Sequence, residues 1–379
     1  MVEETIDIDL LRRLSEADGI GGREREVSRL VHDYAQPYVD EISYDNLGSI
    51  ILKQNGTANE GPKVMLSAHM DEVGFVVRQI TPEGYLKLLP VGGWWGHVMP
   101  AQEMTVTTAT GQKYIGIVGS RAPHGLPDEV KNKVMTPMTM FLDMGVADRQ
   151  AIEALGIRIG DMITPYIPFR QMNDPNFLAG KAWDDRFSLG AELEVMKRTA
   201  QKPHEATLFF TGSTQEEVGI RGARTAVHQI QPDLAIALDV TTAKDTPLDN
   251  ESSNRLGGGV VLAVLDSLTM ANKGLLYRME RLVADLKLDV RYDFMTVGGT
   301  DACNIHKAMD GVVTMTISMP TRYMHSPRLM VHQDDYKQTI QLLTSFCQSL
   351  SKADVALFKE ATRQALEKDV LNHRKKLFL

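Results

Sequence analysis

The apolar pattern of this chain changes twice, and no other feature narrows its fold as much. Residues 7–36 carry a helical period through Leu10, Leu11, Leu14, Val27, Leu30, Val31 and Tyr34, broken by the GIGG at 19–22. The β-like runs EISYDNLGSIILK and PKVMLSAHM follow, punctuated by Asn46, Gly48, Asn55, Gly56, Gly61 and Pro62. From 73 to 165 the runs GFVVRQI, GYLKLLPV, MTVTTAT and YIGIVGS are short and β-rich between Gly-bearing turns, with a helix expected only around Ala147–Leu155. Such a segment suits a small barrel or sandwich. After Pro168 helix and strand alternate: WDDRFSLGAELEVMKRTA and GIRGARTAVHQI read as helices, ATLFFTGST and LAIALDV as buried strands. Alternation of that kind covers a sheet with helices on both faces. The expected fold is therefore α/β, a mixed sheet formed by 1–72 and 166–379 with an all-β domain inserted at 73–165. A length of 379 residues also exceeds the roughly 250–300 at which a single core stops growing.

Composition removes several function classes. The net charge is -8 and no Lys/Arg cluster forms a basic face, so no nucleic-acid partner is expected. No apolar run reaches the roughly 20 residues that span a bilayer, so no membrane partner is expected either. The two cysteines, Cys303 and Cys347, are too few for a secreted disulfide scaffold. The start MVEETIDIDLLRRL lacks the basic and apolar regions of a signal peptide, which makes the cytoplasm the expected address.

Five places put imidazoles or carboxylates at or beyond the ends of apolar strands, where ligands of open α/β sheets collect. They are His69 and Asp71 in AHMD, Asp184 and Asp185 in WDDR, Glu216 and Glu217 in QEE, Asp239 in ALDV and His325 in RYMHSP. Each has a plain structural reading. A single histidine is usually a hydrogen-bonded core residue, Asp184 and Asp185 suit a helix cap, and Glu216 and Glu217 suit a helix's first turn. Together they favour cations, because adjacent buried carboxylates repel unless positive charge balances them.

The strings AHMDEVGF, KAWDDR, TQEEVGIRGA, ALDV, GGTDA and RYMHSP resemble, in order and across nearly the whole chain, those of the tetrahedral aminopeptidases. These are co-catalytic metallopeptidases, some of whose members are called glutamyl aminopeptidase or endoglucanase. The resemblance implies a di-zinc-peptidase-like catalytic domain with a PDZ-like or barrel-like oligomerisation domain where the β-rich segment falls. It implies two divalent ions per subunit. His69 would bind the first, Asp184 would bridge both, Asp239 would complete the first set, and Glu217 and His325 would hold the second. Glu216 matches the general base. Asp71 matches the acid that steadies the imidazole or tunes the base, and Thr300-Asp301 is expected to line the substrate site. Nitrogen and oxygen ligands without thiolate suit Zn, Co or Mn.

The chemistry agrees with those roles. Two cations about 3.5–4 Å apart can share a carboxylate and a bridging water, whose pKa they lower towards neutrality. Glu216 would take its proton and deliver it to the leaving amine. The implied function is release of the N-terminal residue of short peptides, with homo-oligomers ranging from dimers to a twelve-subunit tetrahedral shell. The alternatives are a metal-dependent deacylase, a glycosidase or a non-catalytic assembly protein. A glycosidase uses two carboxylates without metals, which leaves His69 and His325 unexplained.

Several features stay open at this level. Trp94-Trp95 with His97 suits either an assembly contact or packing inside the β domain, and the loop at His124 either reaches a neighbouring site or is plain surface. Gly257-Gly258-Gly259 lacks phosphate-loop spacing and reads as a flexible turn. Cys303 reads as a small buried side chain near the site. Arg221 and Arg322 are candidates for favouring acidic N-terminal residues, but both lie in motifs of the family at large. The basic C-terminal VLNHRKKLFL reads as a solvated helix end.

Overall fold

The computed structural model describes residues 6–125, 127–131, 133–247, 249 and 254–360, so the basic C-terminal segment lies outside the described residues. Three runs of small and branched apolar residues form its centre: Lys63–His69, Leu234–Thr242 and Val313–Thr321. They pair in parallel, with Leu234–Thr242 between the other two. All three are buried on both faces along most of their length, as strands covered by helices on either side must be. The whole sheet has eight strands, in the order Glu41–Tyr44, Ile50–Gln54, Thr207–Ser213, Lys63–His69, Leu234–Thr242, Val313–Thr321, Val260–Leu265 and Val290–Phe294.

The helix Trp183–Thr199 lies against this sheet and is buried nearly all round, sandwiched between the strands and the helix Gln333–Ser349. The first helix, Ile8–Glu16, is amphipathic. Asp7 caps it by accepting from the Leu10 N–H at 2.9 Å, and Leu10, Leu11 and Leu14 enter the core. The Gly257–Gly259 segment is not the loose turn expected from sequence. The N–H groups of Gly257 and Gly259 both donate to the Asp335 carboxylate, at 2.8 and 2.7 Å, which clamps the segment to the last helix.

Between Gly74 and Pro165 six strands close into a barrel. Its core is separate from the main one and takes the alternate residues Phe75, Val77, Leu86, Leu88, Met104 and Val106 with Leu142 and Ile163. Trp94 stacks on Phe75 at 4.9 Å and donates its indole N–H to Gly74, whereas Trp95 is 61% exposed, so the tandem tryptophans divide between packing and surface. A buried ionic cluster ties the barrel to the sheet domain. Lys181 reaches Asp18 at 3.0 Å and Glu72 at 2.5 Å, Arg186 lies 3.6 Å from Glu72, and Lys113 on the barrel reaches Asp18 at 2.7 Å. Among the described residues no helix is long and apolar enough to cross a membrane.

Candidate metal centre

Sheet register decides which side chains meet. Ser213 pairs with His69, and Ala237 pairs with Ser67 in parallel, so Asp239, two residues on, lies beside His69 at the same end of the sheet. Glu216 and Glu217 follow the strand that ends at Ser213, and their turn closes through the N–H groups of Gly219 and Ile220 on the Glu216 carbonyl. Gly222 lets that turn fold back. A Cβ there would collide with the Thr214 backbone. Asp184 and Asp185 begin the buried helix but lack helical dihedrals, and a cis peptide joins them. Neither acts as a helix cap, which removes their plain structural reading.

Ligand atoms of His69, Asp184 and Glu217 lie within 4.8 Å of one another, as do those of His69, Asp185 and Asp239. His69 Nε2 is 3.1 Å from Asp184 Oδ1. His325 Nε2 is 3.4 Å from Asp184 Oδ2 and 3.6 Å from Glu217 Oε1. The structure therefore brings together the imidazoles and acids singled out from sequence. Asp185, the other acid of the doublet, is fully buried, and its carboxylate also accepts from the His69 backbone N–H at 3.3 Å. The only sequence signal for Asp185 was the DD doublet itself.

The second imidazole nitrogen shows how His69 is aimed. Nδ1 is 2.8 Å from the Asp71 carbonyl, which can only accept. Nδ1 therefore carries a proton, and Nε2 faces the Asp184 carboxylate. The Asp71 carboxylate is farther from the ring, at 3.6 Å, and instead accepts from the backbone N–H groups of Glu216 and Glu217, at 2.9 and 3.2 Å. It holds the EE turn, while its backbone holds the imidazole. His325, Ala182 and Gln215 have φ of 55, 56 and 58°. Left-handed backbone costs a non-glycine residue about 1–2 kcal/mol, and each of these lies in or next to the centre, as strain at functional sites often does.

The electrostatics show what this centre lacks. Burial, then Asp184, pushes the Glu217 carboxyl up to about 8. Burial likewise raises Asp185, Glu216 and Asp239 well above the usual carboxylate range, with neighbouring acids adding to it. The hydrogen bond to Asp184 outweighs burial at His325 and lifts its imidazole to about 9. Glu217 Oε1 and Asp185 Oδ1 are buried without a hydrogen-bond partner. Among the described residues no lysine or arginine pairs with any of these acids. Buried carboxylate oxygens without partners, gathered beside two imidazoles, are the donor set of a cation site, so the residues present fit divalent metal.

Asp301 lies behind the centre. Its Oδ2 accepts from Ser67 at 2.7 Å and Ser213 at 2.6 Å, bracing two neighbouring strands of the sheet. Cys303 is buried against Thr300 and Asp266. Arg322 is committed to Asp245 through two contacts of 2.7 Å, and Arg221 bonds Gln215. His124 sits in an exposed short helical turn.

The sequence profile of the M42 glutamyl aminopeptidases matches residues 48–342. The chain belongs to the M42 aminopeptidase family. The lysyl aminopeptidase of Pyrococcus furiosus is 32% identical over 92% of this chain and 99% of its own, and the glutamyl aminopeptidase of Lactococcus lactis is 32% identical over 93% and 98%. The crystal structure of a TET aminopeptidase from a marine sediment archaeon of the Thaumarchaeota superposes with a TM-score of 0.89 at 33% identity, covering 93% of this chain and 98% of the other. The Pyrococcus horikoshii TET1 peptidase, which assembles into a tetrahedron or a large octahedral shell, shares the fold at 24% identity with a TM-score of 0.80, covering 90% and 99%. For this M42 protein, aminopeptidase activity is thereby favoured over the deacylase, glycosidase and assembly-protein alternatives.

Proposed function

We propose that this M42 protein is a co-catalytic di-metal aminopeptidase that removes the N-terminal residue of short peptides. The observation that carries this reading is the surplus of buried carboxylate: Asp184, Asp185, Glu216, Glu217 and Asp239 meet two imidazoles and, among the described residues, no lysine or arginine. His69 and Asp239 would hold one ion, Glu217 and His325 would hold the other, and Asp184, which approaches both imidazoles, would serve both. When bound, two divalent cations (Zn, Co or Mn) would polarise the scissile carbonyl and make a water acidic enough to attack. Glu216 takes the proton of that water and returns it to the departing amine. Burial, with Asp239 and Glu217 adding to it, raises its carboxyl well above the usual carboxylate range in the cation-free site. Asp71 keeps Glu216 and Glu217 in their separate roles by fixing both backbone N–H groups. Residues 1–72 and 166–379 form the catalytic unit in this reading, and 73–165 the oligomerisation unit of a homo-oligomer, a dimer or a twelve-subunit shell.

Hydrolysis of leucyl, glutamyl and lysyl anilides after chelation and re-addition of Zn, Co and Mn tests the chemistry. Activity should vanish on chelation and return with metal, and N-acetylated peptides should resist cleavage. A folded, chelated sample that turns over at full rate sinks the reading. Light scattering on the eluting peak tests assembly, which a monomer would refute.

A further inference from the structure

The groove of about 950 Å³ between barrel and sheet domain is lined by Trp95, His97 and Gln102 on one side and by Arg170, Met172 and Arg328 on the other. At one end it reaches His325, Ser326 and Leu329, which also line the small recess holding Asp184. Its volume suits a peptide-sized ligand, since such sites run from about 300 to 1,000 Å³. Its charge is opposite to that of the molecule. No described residue lining it is Asp or Glu, in a chain with 49 acids against 41 Lys and Arg. Arg170 and Arg328 are exposed and, among the described residues, neither side chain has an ion pair or hydrogen bond.

We propose that this groove takes the part of a peptide downstream of the scissile bond and that Arg170 and Arg328 recognise a carboxylate on it. The inference rests on the aminopeptidase reading: with the amine end of the substrate held at the metal centre, the rest of the chain must leave along a space that starts at His325. A guanidinium binds carboxylate through two parallel hydrogen bonds, and here no internal acid competes for either one. Met172, Met330 and Trp95 offer apolar surface that accepts varied side chains. The recognised carboxylate is either the C-terminus of a short peptide or an Asp/Glu side chain in a longer one.

The test compares Leu-Gly-Gly-Gly as free acid, the same peptide as C-terminal amide, and Leu-Gly-Asp-Gly amide, on wild type and on the Arg170→Gln/Arg328→Gln double variant. At low salt an acidic peptide should exceed the neutral amide by about five- to tenfold in kcat/KM, mostly through KM, with the advantage shrinking in high salt. The double variant should bring that ratio near one. A preference for the first peptide assigns the terminal carboxylate, and a preference for the third assigns the side chain. Because the ratio is taken within one protein, a general loss of activity does not imitate it. N-acetylated copies, which cannot be processed, are titrated against tryptophan emission, with Trp95→Phe identifying the signal. Acid-selective quenching lost in the double variant supports the groove even if no hydrolysis occurs, a result that would count against the aminopeptidase reading alone. Ratios already near one in wild type, or unchanged in the double variant, overturn the proposal. So does emission that follows protein dilution and ignores peptide, which would mean that a second copy of the chain covers the groove.

Discussion

Two buried charged clusters lie a few residues apart in sequence and solve opposite problems. At the junction with the barrel, Asp18 and Glu72 meet Lys181 and Arg186, all at most 3% exposed, and each charge has a fixed partner. Arg186 is satisfied further by the carbonyls of Met70, Leu14, Ala17 and Gly19. At the candidate metal centre the carboxylates outnumber the imidazoles, and among the described residues no lysine or arginine answers them. The first cluster is complete as folded and serves architecture. The second is incomplete as folded, and its surplus negative charge is what the proposed cations would balance. Burial of charge alone thus says little about function. Whether the charge is answered from within the chain says more.

Glu216→Gln should produce the largest effect. Loss of a positioned general base costs about 10²- to 10⁴-fold in rate, whereas metal content should be unchanged because Glu217 and Asp184 remain. One surplus charge also disappears, so the cation-free variant should melt no lower than wild type. Normal turnover would remove Glu216 from its role, and lost metal would make it a ligand instead. The matching substitution in the balanced cluster is Lys181→Met. Breaking a buried pair by removing one partner costs about 3–5 kcal/mol, and here it leaves Glu72 and Asp18 without their closest cation. Urea unfolding should show that loss, while turnover per folded molecule holds. An unchanged midpoint would erase the distinction between the clusters.

The fold was legible because its two periodicities differ. Buried apolar runs such as LAIALDV and VVTMTIS mark central strands, and the short runs after Val73 mark a barrel. The acids and imidazoles of the centre were legible as strand-end motifs. Three things were not. Asp185 received no role of its own beside Asp184, since only the dihedrals of the kinked helix start bring it to His69. Asp71 was expected to steady the imidazole or tune the base, and that its carboxylate accepts from the Glu216 and Glu217 backbone N–H groups depends on loop geometry and leaves no residue pattern. Asp18, Glu72, Lys181 and Arg186 come from separate segments, and no spacing rule links them.

Cation removal should give the next effect. A ligand at a hundred times its Kd stabilises the folded state by about 2.7 kcal/mol. At about 2–4 °C per kcal/mol for a domain of this size, stripping the metal should lower Tm by roughly 5–10 °C. The comparison sharpens if chelation leaves the cost of Lys181→Met unchanged, because the two clusters share no ligand.

The smallest effect separates the clusters by the sign of their pH dependence. Burial alone would raise Asp18, but Lys181 and then Lys113 outweigh it and hold the carboxyl at about 2, against 3.8 for an ordinary aspartate. The folded pKa is the lower one, so its stabilisation is complete above about pH 4 and is lost as the pH falls towards 2. The gap corresponds to about 2 kcal/mol, of which about half disappears between pH 5 and 3. Glu217 behaves in reverse. Its carboxyl, at about 8 by burial and then Asp184, lies above the unfolded value, so the cation-free fold loses stability as the pH rises from about 4.5 towards 8. Urea midpoints for wild type and Asp18→Asn across pH 3–5 should converge on the acid side. Midpoints for chelated wild type across pH 5–8 should fall, and metal should flatten that slope. If chelated and metal-loaded protein traced parallel curves above pH 5, the surplus carboxylates would have no need of a cation, and the contrast between the two clusters would fail at its root.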